Sequence, residues 1–326
     1  MIVRLSFAAT CAAAGLLAAP PASAACSLKT QSIPVTMRGL RAMVTAEVNG
    51  REGQFLLDSG SEVNALNGRF AADLKLKPVG IAETGTHLDV DASTAIEGVA
   101  GVKTVNGLVK ADRFDFLGAS FKDVPFMASD RVGNVDGLLG QAFLRVADVE
   151  YDLAQSKVQL IKPEGCRGVN LAYWAKDGQA YSVIPLEWID RDRPQTEAAI
   201  YVNGVRMRAA FDTGSGTTFI TETAAARAGV RTTDPGVRPA GATKAMDRDV
   251  QTWVGTFASV KIGDEEVKNT SMVIGQSGAL GFDVLLGADF FMSHHIYVAN
   301  SQGKIFFTYE GGPVFRTPGL QAAAKE

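Results

Sequence analysis

Two short triplets carry the most chemistry in this chain, Asp58-Ser59-Gly60 and Asp212-Thr213-Gly214. Each follows an apolar run, Phe55-Leu56-Leu57 in the first case and Ala209-Ala210-Phe211 in the second, and no third Asp-[Ser/Thr]-Gly occurs. Taken singly, such a triplet is a structural turn, in which Asp caps backbone amides and Gly takes a positive φ. Taken as a pair brought together by symmetry, the two carboxylates have a chemistry of their own. Like charges about 3 Å apart cannot both ionise, so the pair keeps one proton. A water held between them then has a base on one side, while the protonated partner donates to a scissile carbonyl. That is general acid–base hydrolysis with no covalent intermediate.

Symmetry is what the rest of the sequence supplies. Val48-Asn49-Gly50 and the first triplet recur as Val202-Asn203-Gly204 and the second, both displaced by 154 positions (58 to 212). Asp136-Gly137-Leu138-Leu139-Gly140 recurs as Asp283-Val284-Leu285-Leu286-Gly287, displaced by 147 (136 to 283). The run from Ala154 to Val158 matches Ser301 to Ile305 with the same shift. Four landmarks in one order mark a duplicated domain rather than a solenoid.

Each repeat reads mostly as strand. Val44–Val48 and Ala198–Val202 are β-prone and end in Asn-Gly, a strong hairpin signal. Phe114–Phe126 and Val254–Val273 each hold two β-like runs, broken at Leu117-Gly118 and at Ile262-Gly263-Asp264. Short helices are expected at Arg69–Leu74, at Thr223–Ala228 and after each Leu-Leu-Gly. Many short strands with frequent turns predict an all-β protein of two barrel lobes. The boundaries are 28–162 for the first lobe, 163–179 for a linker and 180–315 for the second, with a flexible tail at 316–326.

The doubled triplets, each followed by an aliphatic pair and glycine, resemble an aspartic protease of the retropepsin/pepsin type over about residues 32–310. The resemblance implies two similar β-barrel lobes with the cleft between them, and a catalytic pair formed by Asp58 and Asp212. It gives Ser59 and Thr213 a hydrogen-bonding role across the lobes, and Ser61 and Ser215 a hydroxyl that supports the Asp carboxylate. Gly60 and Gly214 complete the turns, and the Leu-Leu-Gly segments pack behind them. It also implies a flap in each lobe, placed at Ile96–Asn106 and Pro239–Val250. Neither contains the Tyr usual in pepsin-like flaps, and the lobes are nearly equal, as in a retropepsin dimer fused into one chain. The substrate is then a polypeptide in extended form, cleaved by an endopeptidase acting as a monomer with pseudo-twofold lobes. The competing reading is a catalytically silent peptide- or protein-binding module on the same fold. Glu62, after Ser61, either faces solvent or perturbs the pair.

Composition fits this picture. Of 326 residues, 46% are hydrophobic and 21% charged, which argues against disorder. A net charge of -3 argues against a nucleic-acid partner. Residues 1–24 read as a signal peptide for export to the periplasm or beyond: Arg4, the apolar Leu5–Ala19, Pro20-Pro21, then Ala22-Ser23-Ala24. An uncleaved anchor is the alternative, although the run is short for a bilayer span. Cys11 leaves with the signal, so Cys26 and Cys166 remain as a disulfide candidate, against two free thiols or a lipid-modified Cys26. Little chain separates the cleavage site from the first strand, so control by a pro-segment is not expected. No metal or organic cofactor is expected: the histidines are His87, His294 and His295, and adjacent histidines on a strand point apart. Gly275-Gln276-Ser277-Gly278 lacks the frame of a nucleophile elbow, and no phosphate loop occurs. Trp174, Trp188 and Trp253 are too scattered for a sugar platform.

Overall fold

The computed structural model describes residues 26–79, 106–187, 194–245, 248–275 and 281–316. The expected signal segment, His87, Trp188, Ser277 and nearly all of the first candidate flap lie outside them. Among the described residues no helix is long and apolar enough to cross a membrane.

The chain runs from β1 (Ser27–Pro34) into β2 (Thr36–Arg38), β3 (Arg41–Val48), β4 (Arg51–Leu57), β5 (Ala65–Asn67), helix α1 (Gly68–Asp73), β6 (Gly107–Phe116), β7 (Ala119–Ser129) and β8 (Gly137–Leu139). Helix α2 (Gln141–Leu144) then leads to β9 (Asp148–Asp152) and β10 (Lys157–Glu164). The second half repeats the plan with β11 (Ser182–Pro185), β12 (Glu197–Val202), β13 (Val205–Phe211), β14 (Phe219–Thr221), α3 (Glu222–Arg227), β15 (Arg238–Ala245), β16 (Arg248–Ile262), β17 (Glu265–Gly275), β18 (Val284–Leu286), α4 (Ala288–Ser293), β19 (His294–Ala299) and β20 (Lys304–Tyr309).

Two six-stranded barrels result. The first runs β3-β4-β8-β5-β7-β6 and closes where β3 pairs with β6, with β2 lying outside β3. The second runs β12-β13-β18-β14-β17-β16 and closes where β12 pairs with β16, with β15 outside β16. Both Asn-Gly sites are two-residue hairpin turns with positive φ at Asn49, Gly50, Asn203 and Gly204, as a turn matching strand twist requires. Leu117-Gly118 and Gly263-Asp264 form the turns between β6 and β7 and between β16 and β17. Helices α1 and α3 start at side-chain caps: Asn67 accepts from the Arg69 amide and Thr221 from the Ala224 amide. Phe55, Phe126, Phe211, Phe257 and Phe290 fill the interiors, fully buried, each side chain stabilising by roughly 1.5–3 kcal/mol.

A third sheet joins the lobes. Its order, β1-β10-β9-β19-β20-β11, is antiparallel throughout and reads the same from either edge under the repeat. The seam is the pairing of β9 with β19, where Tyr151 faces Ile296 and Val149 faces Val298. Thus β1, β9 and β10 of the first half, and β11, β19 and β20 of the second, belong to this sheet and not to the barrels. The reason is that lone edges left by each half are satisfied by pairing with each other. Residues 165–179, most of the segment expected as a linker, lie over this sheet as a partly buried cover. Leu171 and Ala172 are buried against Tyr297 and Phe306, and Trp174 stacks on His295 with centroids 4.2 Å apart. Cys26 and Cys166 form a disulfide that ties the start of β1 to this cover.

Candidate active site

Both Asp turns lie where a barrel strand ends against the neighbouring lobe. Strand β4 runs parallel to β8, pairing Leu57 with Leu139, and the Asp58 amide donates to the Leu139 carbonyl at 3.0 Å. In the second lobe β13 runs parallel to β18, pairing Phe211 with Leu286, and the Asp212 amide donates to the Leu286 carbonyl at 2.9 Å. The Leu-Leu-Gly segments are therefore the strands that hold the Asp turns. The main-chain approach behind them is too close for a side chain at Gly140 or Gly287.

The turns interlock across the lobes. The Ser59 amide donates to Thr213 Oγ1 (3.1 Å) and the Thr213 amide to Ser59 Oγ (3.0 Å). Each hydroxyl in turn donates to a carbonyl of the opposite strand, Ser59 Oγ to Phe211 (2.8 Å) and Thr213 Oγ1 to Leu57 (2.7 Å). Both side chains are buried, so water does not compete for these bonds. The lock sets the two carboxylates face to face, each against the opposing glycine. A Cβ on Gly60 would overlap the Asp212 carboxyl group, and one on Gly214 that of Asp58.

Each carboxylate is tethered on one oxygen. Asp58 Oδ1 accepts from the amides of Gly60 and Ser61, both at 3.0 Å, and Asp212 Oδ1 from those of Gly214 (2.8 Å) and Ser215 (3.3 Å). The Ser61 and Ser215 hydroxyls do not take the place the resemblance implied. They donate to the carbonyls of Val63 and Thr217, which cinch each turn, while the amides of the same residues reach the carboxylates. Burial, then the charge and hydrogen bond of Asp212, holds Asp58 well above the usual carboxylate range. Burial also raises Asp212, but hydrogen bonds from Asp58 and the turn amides oppose it. Two buried carboxylates set against each other in this way keep one proton between them.

Residues 44–143 match the aspartyl protease family model, and residues 198–293 match that of the gag-polyprotein putative aspartyl protease. The chain belongs to the two-lobed retropepsin-type aspartic proteases. No curated protein matched it. Each family match spans the Asp turn and Leu-Leu-Gly strand of one lobe, so this protease carries one family domain per barrel.

His294 Nε2 meets Glu265 and His295 Nε2 meets Glu150, so the adjacent imidazoles point to different partners. Glu62 is half-buried. The second candidate flap coincides with the hairpin of β15 and β16. Two cleft-floor residues had no signal in the sequence, Gln141 and Gln195. Gln141 Nε2 donates to the Ser59 carbonyl (2.7 Å) and to Thr196 Oγ1 (3.1 Å), and Gln195 Nε2 to the Gly60 carbonyl (3.0 Å).

Proposed function

We propose that the chain is an aspartic endopeptidase that hydrolyses peptide bonds with Asp58 and Asp212 as its catalytic pair. The observation that carries this reading is the face-to-face pairing of two carboxylates that burial and mutual repulsion force to share one proton. Asp212, ionised, takes a proton from the bound water; Asp58, protonated on the oxygen its turn amides leave free, donates to the scissile carbonyl. The products leave as amine and carboxylic acid, and the pair returns to its single proton. Because both carboxylates are raised, the singly protonated state extends above the ordinary carboxylate range.

The substrate is a polypeptide lying extended across the cleft, its backbone paired with flap strands. The protein works as a monomer, since one chain supplies both halves of the pair. Export to the periplasm or beyond is supported by the Cys26–Cys166 disulfide together with the residues of the expected signal segment.

The test is cleavage of casein by the purified chain, scanned from acidic to mildly alkaline pH, with and without a statine-type inhibitor. Turnover that disappears in Asp212→Asn and in Asp58→Asn, and stops with inhibitor, is the expected result. Turnover that survives either substitution overturns the assignment, because a pair acting as a unit loses nearly all activity with one member.

A further inference from the structure

The two Asp turns are related by symmetry, but their supports are not. The amide of Gly60 shares its peptide group with the Ser59 carbonyl, and that of Ser61 with the Gly60 carbonyl. Both amides donate to Asp58 Oδ1. Behind them, each carbonyl accepts from a glutamine side chain: Ser59 from Gln141 and Gly60 from Gln195. A carbonyl that accepts a hydrogen bond polarises its own peptide, so the N–H on the other side becomes a stronger donor. Two chains of this kind end on one carboxylate oxygen.

In the second lobe the places equivalent to Gln141 and Gln195 are held by Ala288 and Arg41. Ala288 has no side-chain amide, its backbone N–H donating instead to the Ser215 carbonyl at 2.7 Å, and Arg41 is exposed. Among the described residues no side chain donates to the carbonyls of Thr213 or Gly214, which stand behind the two amides on Asp212 Oδ1.

We propose that Gln141 and Gln195 are positioning residues for the pair, acting through the Ser59–Gly60 and Gly60–Ser61 peptides to keep Asp58 Oδ1 an acceptor and to confine the shared proton to Oδ2. This rests on the catalytic reading of Asp58 and Asp212 and adds the groups that decide which face of Asp58 acts. Both glutamines also cross the lobes: Gln141 begins α2 of the first lobe and reaches Thr196, while Gln195 reaches the first turn from the second lobe. A shift of one lobe against the other would therefore weaken the donors at the pair.

Removing an amide weakens the hold on the ionised form of Asp58, which then keeps its proton to higher pH. The experiment uses the full chain carrying Gln195→Met or Gln141→Met, each close in shape but without the donor, with Arg41→Met as the control. The Asp58 carboxyl carbon is followed by carbon-13 NMR across pH, assigned by its absence in Asp58→Asn, alongside the pH profiles of kcat and KM on casein. Expected is a rise of about half a pH unit in the Asp58 midpoint and in the alkaline limb of kcat, with KM and thermal midpoint near wild type and no change in Arg41→Met. Gln195 is half-buried and the milder site, so it decides the matter if Gln141→Met does not fold. A loss of thermal midpoint or a change in KM with the Asp58 midpoint unmoved overturns the proposal, and so does an equal shift in Arg41→Met. The NMR titration needs no turnover, so a chain that fails to cleave casein still tests this inference apart from the proposed activity.

Discussion

Replacing Thr213 with valine removes one hydroxyl and almost no volume. That hydroxyl accepts from the Ser59 amide at 3.1 Å and donates to the Leu57 carbonyl at 2.7 Å, at a position with 0% exposure. Valine leaves both groups without this partner where water does not reach. An orphaned buried N–H costs about 1–3 kcal/mol, and the carbonyl, with a second lone pair, costs less, so the total is about 2–4 kcal/mol. The assay is urea unfolding at neutral pH, read from the midpoint at constant slope. Ser59→Ala removes the mirror bonds to the Thr213 amide and the Phe211 carbonyl, and belongs in the same range. The double variant should cost less than the sum, because the first loss already loosens the shared interface. Activity should fall in each, as the carboxylates lose their register. A destabilisation below about 1 kcal/mol for Thr213→Val, at unchanged slope, would refute the reasoning that the lock is dry and strained by the loss of either hydroxyl.

Two further outcomes depend on pH. Asp58 carries a raised pKa, so the folded state binds its proton more tightly than the unfolded chain does, and stability is lost as pH rises through the folded value; Asp58→Asn should therefore unfold at higher urea than wild type at pH 7, an advantage that shrinks as pH falls towards the ordinary Asp range and is gone below it. Glu150, at the seam of the third sheet, is the opposite case: burial raises it, but hydrogen bonds from His295, Tyr173 and Lys157 outweigh burial and bring it to about 2 from 4.5. Its contribution of about 3 kcal/mol is present above the unfolded value and lost as pH falls towards 2, so acid unfolding of wild type should steepen there while Glu150→Gln starts lower at pH 7 and loses less.

Local features were legible in the residues because they depend on near neighbours. Asn49-Gly50 and Asn203-Gly204 specify their hairpins through backbone conformation alone, and the helices at Gly68–Asp73 and Glu222–Arg227 begin within a residue of their expected places. The repeat also made the site legible. Two Asp turns at equivalent points of a duplicated domain meet when the twofold axis that joins the halves passes between them, as it does here. Ser61 and Ser215 were read less well: a hydroxyl and an amide on one residue are both able to reach a carboxylate, and only backbone geometry chooses between them.

By itself the sequence determined two β lobes, their internal turns and the two carboxylates, since hydrophobic alternation, turn chemistry and internal repetition are written along the chain. The third sheet was decided by tertiary structure. Strands β9 and β19 lie far apart in sequence and find each other only because each half leaves an unpaired edge. The same holds for residues 165–179, whose Leu171 and Trp174 have a role only once that sheet presents Tyr297 and His295 to them. The unequal support of the pair by Gln141 and Gln195 was decided there too. A glutamine has no period or motif that marks it, and its meaning comes from the carbonyl that folding places within reach.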